Sequence, residues 1–134
     1  MKEKTYQTRC GTIHYWTSIS SLNAITLVFL PGLTADHRLF NKQILFFEKK
    51  YNIVVWDAPA HATSWPFRFD FDLFDKAKWL NEILNQEEIN KPVIVGQSMG
   101  QFKQFSCKLR IVFVCDGIAG KKCMDTEMLC SLIL

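Results

Sequence analysis

Three short apolar runs, separated by segments with helical spacing, constrain the fold of this chain more than any other feature. The runs are residues 24–30, 51–56 and 92–95, and each is nearly continuous and rich in β-branched side chains. Strands that are buried on both faces of a parallel sheet have this composition. The sequence therefore predicts three neighbouring strands in the interior of one sheet.

The segments between the runs predict helices. The first segment has apolar residues at helical spacing, which are Leu39, Phe40, Ile44, Leu45 and Phe47. The second has Leu73, Ala77, Leu80 and Leu84, with Asp72 in position to cap the helix and residues 90–92 in position to end it. Strand, helix, strand, helix, strand is the pattern of a doubly wound sheet.

A hairpin is predicted ahead of this pattern, because residues 6–9 and 12–17 have strand character and are separated by Cys10 and Gly11. A chain of 134 residues has room for one core. The predicted fold class is α/β, with a mostly parallel doubly wound sheet that is incomplete and carries an N-terminal antiparallel hairpin.

Composition changes after Gly100, and this divides the chain into residues 1–100 and residues 101–134. Four of the five cysteines, which are Cys107, Cys115, Cys123 and Cys130, fall in the second part, and helical periodicity is poor there. We interpret residues 101–134 as a divergent or frameshifted tail. A frameshift predicts that another reading frame after the Gly100 codon encodes an amphipathic helix, further strands, an acid and a histidine.

Charge and cysteine content exclude several classes of function. The 16 basic and 13 acidic residues are scattered along the chain, so no block of like charge is available to bind nucleic acid. No apolar run is long enough to act as a signal peptide or to span a bilayer, and we expect a cytoplasmic protein without a membrane partner. The cysteines are odd in number and form no C-x-x-C pair, so neither a full disulfide framework nor a zinc site is indicated. We expect no metal and no cofactor.

Three loops with recognisable sequences follow the three predicted strands. The pentapeptide Gly96-Gln97-Ser98-Met99-Gly100 matches G-x-S-x-G directly after the third strand, and residues 30–34 carry a Pro-Gly pair after the first. Residues 57–64 follow the second strand and are similar to a D-x-P-G-H-G-x-S loop. Together these loops resemble those of the α/β-hydrolases that use a serine nucleophile, and the resemblance covers residues 6–100. A Rossmann-like sheet with incidental glycine and serine turns is the alternative.

One of these loops departs from the family pattern. Ala60 and Ala62 stand where the family has two glycines. Alanine is disfavoured at positive φ, whereas glycine tolerates it. We therefore expect either a strained turn here or a turn that has not been under selection.

The resemblance implies an esterase-like serine hydrolase that acts on a small-molecule acyl substrate. Ser98 would attack the carbonyl carbon of a carboxylic ester or related acyl compound and form an acyl-enzyme that water releases. The backbone amides of Leu33 and Met99 would form the oxyanion hole. A serine in this position argues against the epoxide hydrolase and haloalkane dehalogenase branches of the family.

The remaining members of the triad are incomplete in this sequence. In the family the order along the chain is nucleophile, acid, histidine, and Asp116, after a predicted strand at residues 111–115, is the candidate acid. No histidine follows Ser98. Of the upstream histidines, which are His14, His37 and His61, each is expected to be solvated or hydrogen-bonded, and only His37 lies near the strand ends.

Loss of the triad histidine costs on the order of 10⁶ in turnover, so we expect the chain alone to be weakly active at most. Three hypotheses remain open from the sequence. The chain is a truncated serine hydrolase, or a non-catalytic module that binds a ligand or partner, or a half-enzyme that a complementing chain completes. Reaction with a serine-directed phosphonate separates them.

Overall fold

The computed structural model describes residues 1–90, 92–97 and 110–113, and for 110–113 it describes the backbone pairing alone. The strands form a six-stranded sheet in the order β1-β2-β4-β3-β5-β6. Their bounds are Lys2–Gln7 (β1), Thr12–Ser18 (β2), Thr26–Leu30 (β3), Asn52–Trp56 (β4), Pro92–Gly96 (β5) and Arg110–Phe113 (β6). Two α-helices, Asn41–Phe47 (α1) and Leu73–Gln86 (α2), connect the central strands.

The centre of the sheet is parallel. β3 pairs in parallel with β4 on one side and with β5 on the other, and β5 pairs in parallel with β6. Every residue of β3 and of β4 is buried. The predicted α/β class and doubly wound sheet are confirmed, and β6 begins one residue before the predicted strand at residues 111–115.

The two helices lie on opposite faces of the sheet. Ile44 and Phe47 of α1 belong to a buried cluster with Leu27, Phe29 and Val55. A second cluster joins α2 to the alternate strand residues, and it includes Val28, Leu30, Val54, Trp56, Leu80, Ile83 and Ile94. Successive strand residues point to opposite faces, so one continuous apolar run supplies both clusters.

The predicted N-terminal hairpin is present at the edge of the sheet, but its first strand is Lys2–Gln7 rather than residues 6–9, because residues 8–11 form the turn, in which the Thr8 N–H donates to the Gly11 carbonyl at 2.9 Å. β1 and β2 are antiparallel, and β2 is also antiparallel to β4. The Tyr15 hydroxyl donates to Glu87 at 2.8 Å and the Tyr6 hydroxyl donates to Glu82 at 2.6 Å. The Glu82 bond, with burial, raises the pKa of Tyr6 to about 12. These contacts attach the hairpin to α2.

Helix α2 begins where the sequence predicts and ends earlier. Asp72 and Asp75 form a capping box, in which the Asp72 side chain accepts from the Asp75 N–H at 2.9 Å. At the other end Glu88 has a φ of 56°, and the Ile89 N–H donates to the Leu84 carbonyl at 2.9 Å. This is a Schellman motif, and it ends the helix at Gln86 rather than at residues 90–92.

The first helical segment is only partly as predicted. It starts as a 3₁₀ helix over His37–Phe40 and continues as α1. The buried face carries Phe40, Ile44 and Phe47, which are spaced four and three residues apart, and Leu45 lies on the other side of the helix and is exposed. Within the described residues, neither helix is long and apolar enough to cross a membrane.

Candidate functional site

The carboxyl ends of the parallel strands meet at one edge of the sheet. Leu30 at the end of β3 pairs with Gly96 at the end of β5, and Phe29 pairs with Val55 near the end of β4. The chain leaves β3 toward β4 on one side, and returns from β4 to β5 on the other side. Such a switch in strand order opens a crevice at the carboxyl ends, and ligands of open α/β sheets bind there.

One of the four predicted site residues, Leu33, is among the described residues. Ser98, Met99 and Asp116 lie outside them. The described chain on the β5 side reaches Gln97, whose N–H donates to the Leu30 carbonyl at 3.1 Å. The residue before Ser98 is thus hydrogen-bonded to the end of β3, beside the segment that leads to Leu33.

Leu33 lies in a tight turn at this edge. The Ala35 N–H donates to the Gly32 carbonyl at 3.2 Å, which places Leu33 and Thr34 at the centre of the turn. Leu33 is 51% exposed, whereas Pro31 and Gly32 before it are buried. Among the residues that the structure describes, none accepts a hydrogen bond from the Leu33 N–H. A backbone amide without a protein partner has one property that an oxyanion donor needs.

Asp57 follows β4 directly and is fully buried. Its Oδ1 accepts from the His37 backbone N–H at 2.7 Å and lies 3.0 Å from His37 Nδ1. Its Oδ2 accepts from the Thr63 N–H at 3.1 Å and from the Thr63 hydroxyl at 2.7 Å. Polar oxygens that are buried away from water need hydrogen-bond partners, and the Asp57 carboxylate has four.

His37 pairs with Asp57 and also stacks on Trp16, with ring centroids 3.7 Å apart and planes inclined by 24°. Because the neighbouring Asp57 oxygen is an acceptor, we assign the proton to Nδ1, which leaves the Nε2 lone pair available. The sequence predicts His37 near the strand ends and does not identify Asp57 as its partner. The available signal was that Asp57 and His37 both follow strands at the same edge.

The loop after β4 contains the two alanines that replace glycines. Ala60 has a φ of 68° and Ala62 a φ of 44°, so the expected strain at these positions is confirmed. The Ser64 hydroxyl donates to the Asp57 carbonyl at 2.8 Å and accepts from the His14 N–H at 2.9 Å. This loop is therefore attached to β2 despite the strain in its backbone.

The other two histidines are hydrogen-bonded away from Asp57. His14 Nδ1 lies 2.9 Å from Glu3 Oε1 on the hairpin, and His61 Nδ1 lies 2.9 Å from the Pro59 carbonyl. Both contacts agree with the expectation that the upstream histidines are solvated or hydrogen-bonded. Of the three, His37 has the carboxylate partner that lies at the carboxyl edge of the parallel strands.

Comparison with known proteins gives matches among solved structures. No family model matches the chain, and no curated protein matches it. An α/β hydrolase enzyme from a Medee basin deep-sea metagenome library superposes with a TM-score of 0.71 at 21% identity, over 84% of this chain and 43% of that one. Naproxen esterase from Bacillus subtilis superposes with a TM-score of 0.64 at 26% identity, over 74% and 35%.

A third solved structure, 1H-3-hydroxy-4-oxoquinoline 2,4-dioxygenase, has a TM-score of 0.59 at 26% identity, over 66% of this chain and 34% of that one. The chain thus spans between a third and a half of the length of the proteins that it resembles. What these likenesses share is the sheet and the helices described above.

Proposed function

We propose that this chain, whose residues 6–100 resemble the N-terminal half of an α/β-hydrolase, carries the nucleophile side of a serine hydrolase acting on carboxylic esters or related acyl compounds. One observation carries this proposal. The Leu33 turn and the chain that leads to Ser98 leave adjacent parallel strands at the switch point, and the Gln97 N–H joins the two strand ends.

The proposed reaction starts with attack of the Ser98 hydroxyl on the acyl carbonyl carbon. The tetrahedral oxyanion accepts hydrogen bonds from the Leu33 and Met99 amides, and the alcohol then leaves to give an acyl-enzyme. A base receives the serine proton and transfers it to the leaving alkoxide, and water repeats the sequence to release the acid. The sequence after Ser98 offers Asp116 as the acid of the triad and contains no histidine.

Two features favour a hydrolase over other chemistry on this fold. The serine of the G-x-S-x-G pentapeptide stands directly after β5, where a strand-to-helix turn presents a nucleophile. Naproxen esterase is among the more similar structures by sequence identity. A dioxygenase matches at the same identity, so the fold alone does not determine the reaction. The proposal of a hydrolase therefore rests on the serine.

The test is covalent labelling by a fluorophosphonate probe, followed by intact mass and peptide mapping. The natural chain is expected to add one probe molecule at Ser98, slowly in the absence of a triad histidine. Ser98→Ala is expected to add none, with an unchanged circular dichroism spectrum. Equal labelling of both chains contradicts the assignment of Ser98. No labelling of the natural chain contradicts the hydrolase and leaves the ligand-binding module.

A second variant tests the oxyanion hole through a single backbone hydrogen. Leu33→Pro removes the amide donor at a turn position that proline tolerates, and it is expected to lower the labelling rate about 10²- to 10³-fold. Leu33→Ala is the matched control, because it keeps the amide and removes the exposed side chain. If Leu33→Ala slows labelling as much as Leu33→Pro does, the side chain and not the amide is responsible.

A further inference from the structure

We infer that the His37–Asp57 pair is a positioning device that fixes the Leu33 turn against the end of β4. The inference on turn geometry depends only on the contacts described. Its catalytic consequence, faster acylation of Ser98, depends on the proposed function. His37 and Asp57 are therefore positioning residues in this account, and Leu33 supplies the group that contacts the substrate.

The Leu33 turn is held at two ends. On the N-terminal side it continues from Leu30, whose carbonyl accepts from the Gln97 N–H at 3.1 Å. On the C-terminal side the chain reaches His37, whose backbone N–H donates to Asp57 Oδ1 at 2.7 Å. The intervening turn has the single internal bond from Ala35 to Gly32. The direction of the Leu33 amide therefore depends on where its two ends are fixed.

Asp57 provides a fixed point because hydrogen bonds hold both its side chain and its backbone. Its side chain is fully buried, and Thr63 donates to its second oxygen from both the backbone and the hydroxyl. Its backbone N–H donates to the His14 carbonyl at 2.9 Å, and its carbonyl accepts from Ser64. The carboxylate thus joins the turn after β3 to a loop that is bonded to β2.

Besides its backbone bond, the side chain of His37 contributes two separable contacts to this arrangement. Nδ1 lies 3.0 Å from Asp57 Oδ1, and the ring stacks on Trp16 of β2. A hydrogen bond to a buried carboxylate is stronger than a neutral one, because the acceptor is charged. We therefore expect the Nδ1 contact, rather than the ring stack, to hold the turn in place.

Two substitutions separate these contacts. His37→Phe retains an aromatic ring against Trp16 and removes the Nδ1 donor. His37→Asn loses the ring and retains a nitrogen donor that branches from Cγ, as Nδ1 does in histidine. His14→Phe is the matched control, since it removes the equivalent Nδ1 contact to the exposed Glu3 on the hairpin.

The primary measurement is hydrogen exchange of the Ala35 and His37 amides by NMR, with global stability measured in parallel. In His37→Phe these amides are expected to exchange roughly tenfold faster, because the loss of a charge-assisted bond exposes the turn to local opening. In His37→Asn they are expected to stay within about threefold of the natural chain. His14→Phe is expected to leave them unchanged.

The second measurement is the rate of fluorophosphonate labelling at Ser98 in the same proteins. We expect His37→Phe to label roughly tenfold more slowly than the natural chain, and His37→Asn to recover most of the rate. Unchanged exchange in His37→Phe overturns the inference, and so does equally fast exchange in both His37 variants, which assigns the role to the ring stack.

The two measurements keep the failures of the two proposals apart. Faster exchange with an unchanged labelling rate overturns the positioning role in catalysis and leaves the hydrolase in place. No labelling of the natural chain overturns the hydrolase, and the exchange data still decide whether the pair fixes the turn. A His37→Phe chain that does not fold is replaced by His37→Leu, which also lacks the donor.

Discussion

The loops after β3 and β4 lie at the same edge of the sheet and are built in opposite ways. The loop at residues 57–64 has a fully buried carboxylate with four hydrogen bonds, and Ser64 attaches it to β2. The turn at residues 32–35 has one internal hydrogen bond and a half-exposed Leu33. Two loops with equivalent places in the fold thus differ in how completely their polar groups are satisfied.

The difference teaches how a site of this kind is held. A backbone amide that is to bind a developing charge has to remain without a partner in the free protein, and this makes its own turn weakly bonded. In the neighbouring loop, Asp57 and Ser64 have their hydrogen bonds within the protein. The rigid loop then fixes the turn from outside, through Asp57 and His37.

The largest expected effect that tests this comparison comes from replacing one aspartate in each loop. Asp57→Ala leaves the four donors at this carboxylate without their buried acceptor, and we expect the free energy of unfolding to fall by about 3–5 kcal/mol. Asp36→Ala removes an N-cap from a short exposed 3₁₀ helix, and we expect a loss of about 1 kcal/mol. Urea unfolding of both variants measures the two losses in free energy of unfolding and therefore their ratio.

Equal losses of stability in these two variants would show that the aspartates of the two loops contribute alike, which would contradict the comparison. Asp57→Asn is the control for shape, because it keeps an acceptor at the same position and gives up the charge. Its free energy of unfolding is expected to lie between that of the natural chain and that of Asp57→Ala.

A smaller effect is expected at the strained alanines, where substitution should raise the free energy of unfolding rather than lower it. Ala60→Gly and Ala62→Gly are each expected to raise the free energy of unfolding by about 1 kcal/mol, because the left-handed conformation penalises a Cβ atom. Ala35→Gly in the other turn has no positive φ to relieve, and it is expected to lower stability by about 0.5–1 kcal/mol. Thermal unfolding of the three single variants is sufficient. Destabilisation by the Ala60 and Ala62 changes would contradict the strained backbone.

The smallest effect concerns acid stability of the turn. The Arg38 side chain lowers the pKa of Asp36 from 3.8 to about 2. A carboxylate with a lowered pKa contributes stability above its ordinary pKa, and this contribution is lost as the pH falls through the folded value. Arg38 is 73% exposed, so solvent screening keeps the effect below about 1 kcal/mol.

Asp36→Asn is therefore expected to be less stable than the natural chain at pH 6, with a difference that shrinks between pH 4 and pH 2. Urea unfolding across this range measures it. A difference that is constant with pH would assign the role of Asp36 to its shape as a cap rather than to its charge.

The sheet, the hairpin and the cap of α2 could be predicted from the sequence, because each depends on local pattern. Continuous β-branched runs predicted β3 and β4, and Asp72 predicted the start of α2. Strain at Ala60 was predictable because alanine occupies a position where a matching loop has glycine. These signals lie in neighbouring residues, so they can be recognised without knowledge of tertiary contacts.

The pairing of His37 with Asp57 could not be read in the same way. The two residues lie 20 positions apart and meet only because α1 takes the chain back to the start of β4, and β4 then returns it to the same edge. The exposure of Leu45 was missed because helical spacing alone does not say which face is buried, and the buried face is the one that carries Phe40, Ile44 and Phe47. The pairing of His37 with Asp57 depends on geometry that builds up over a whole crossover, which no short window of sequence contains.

The position of β3 in the sheet has a consequence for synthesis on the ribosome. β3 is made before both of its partners, since β4 is complete at Trp56 and β5 only at Gly96. At roughly 5–20 residues per second, the 66 residues from Leu30 to Gly96 take about 3–13 s. During that interval one side of the most buried strand has no partner, and the nascent chain is open to pairing with its neighbours on the polysome.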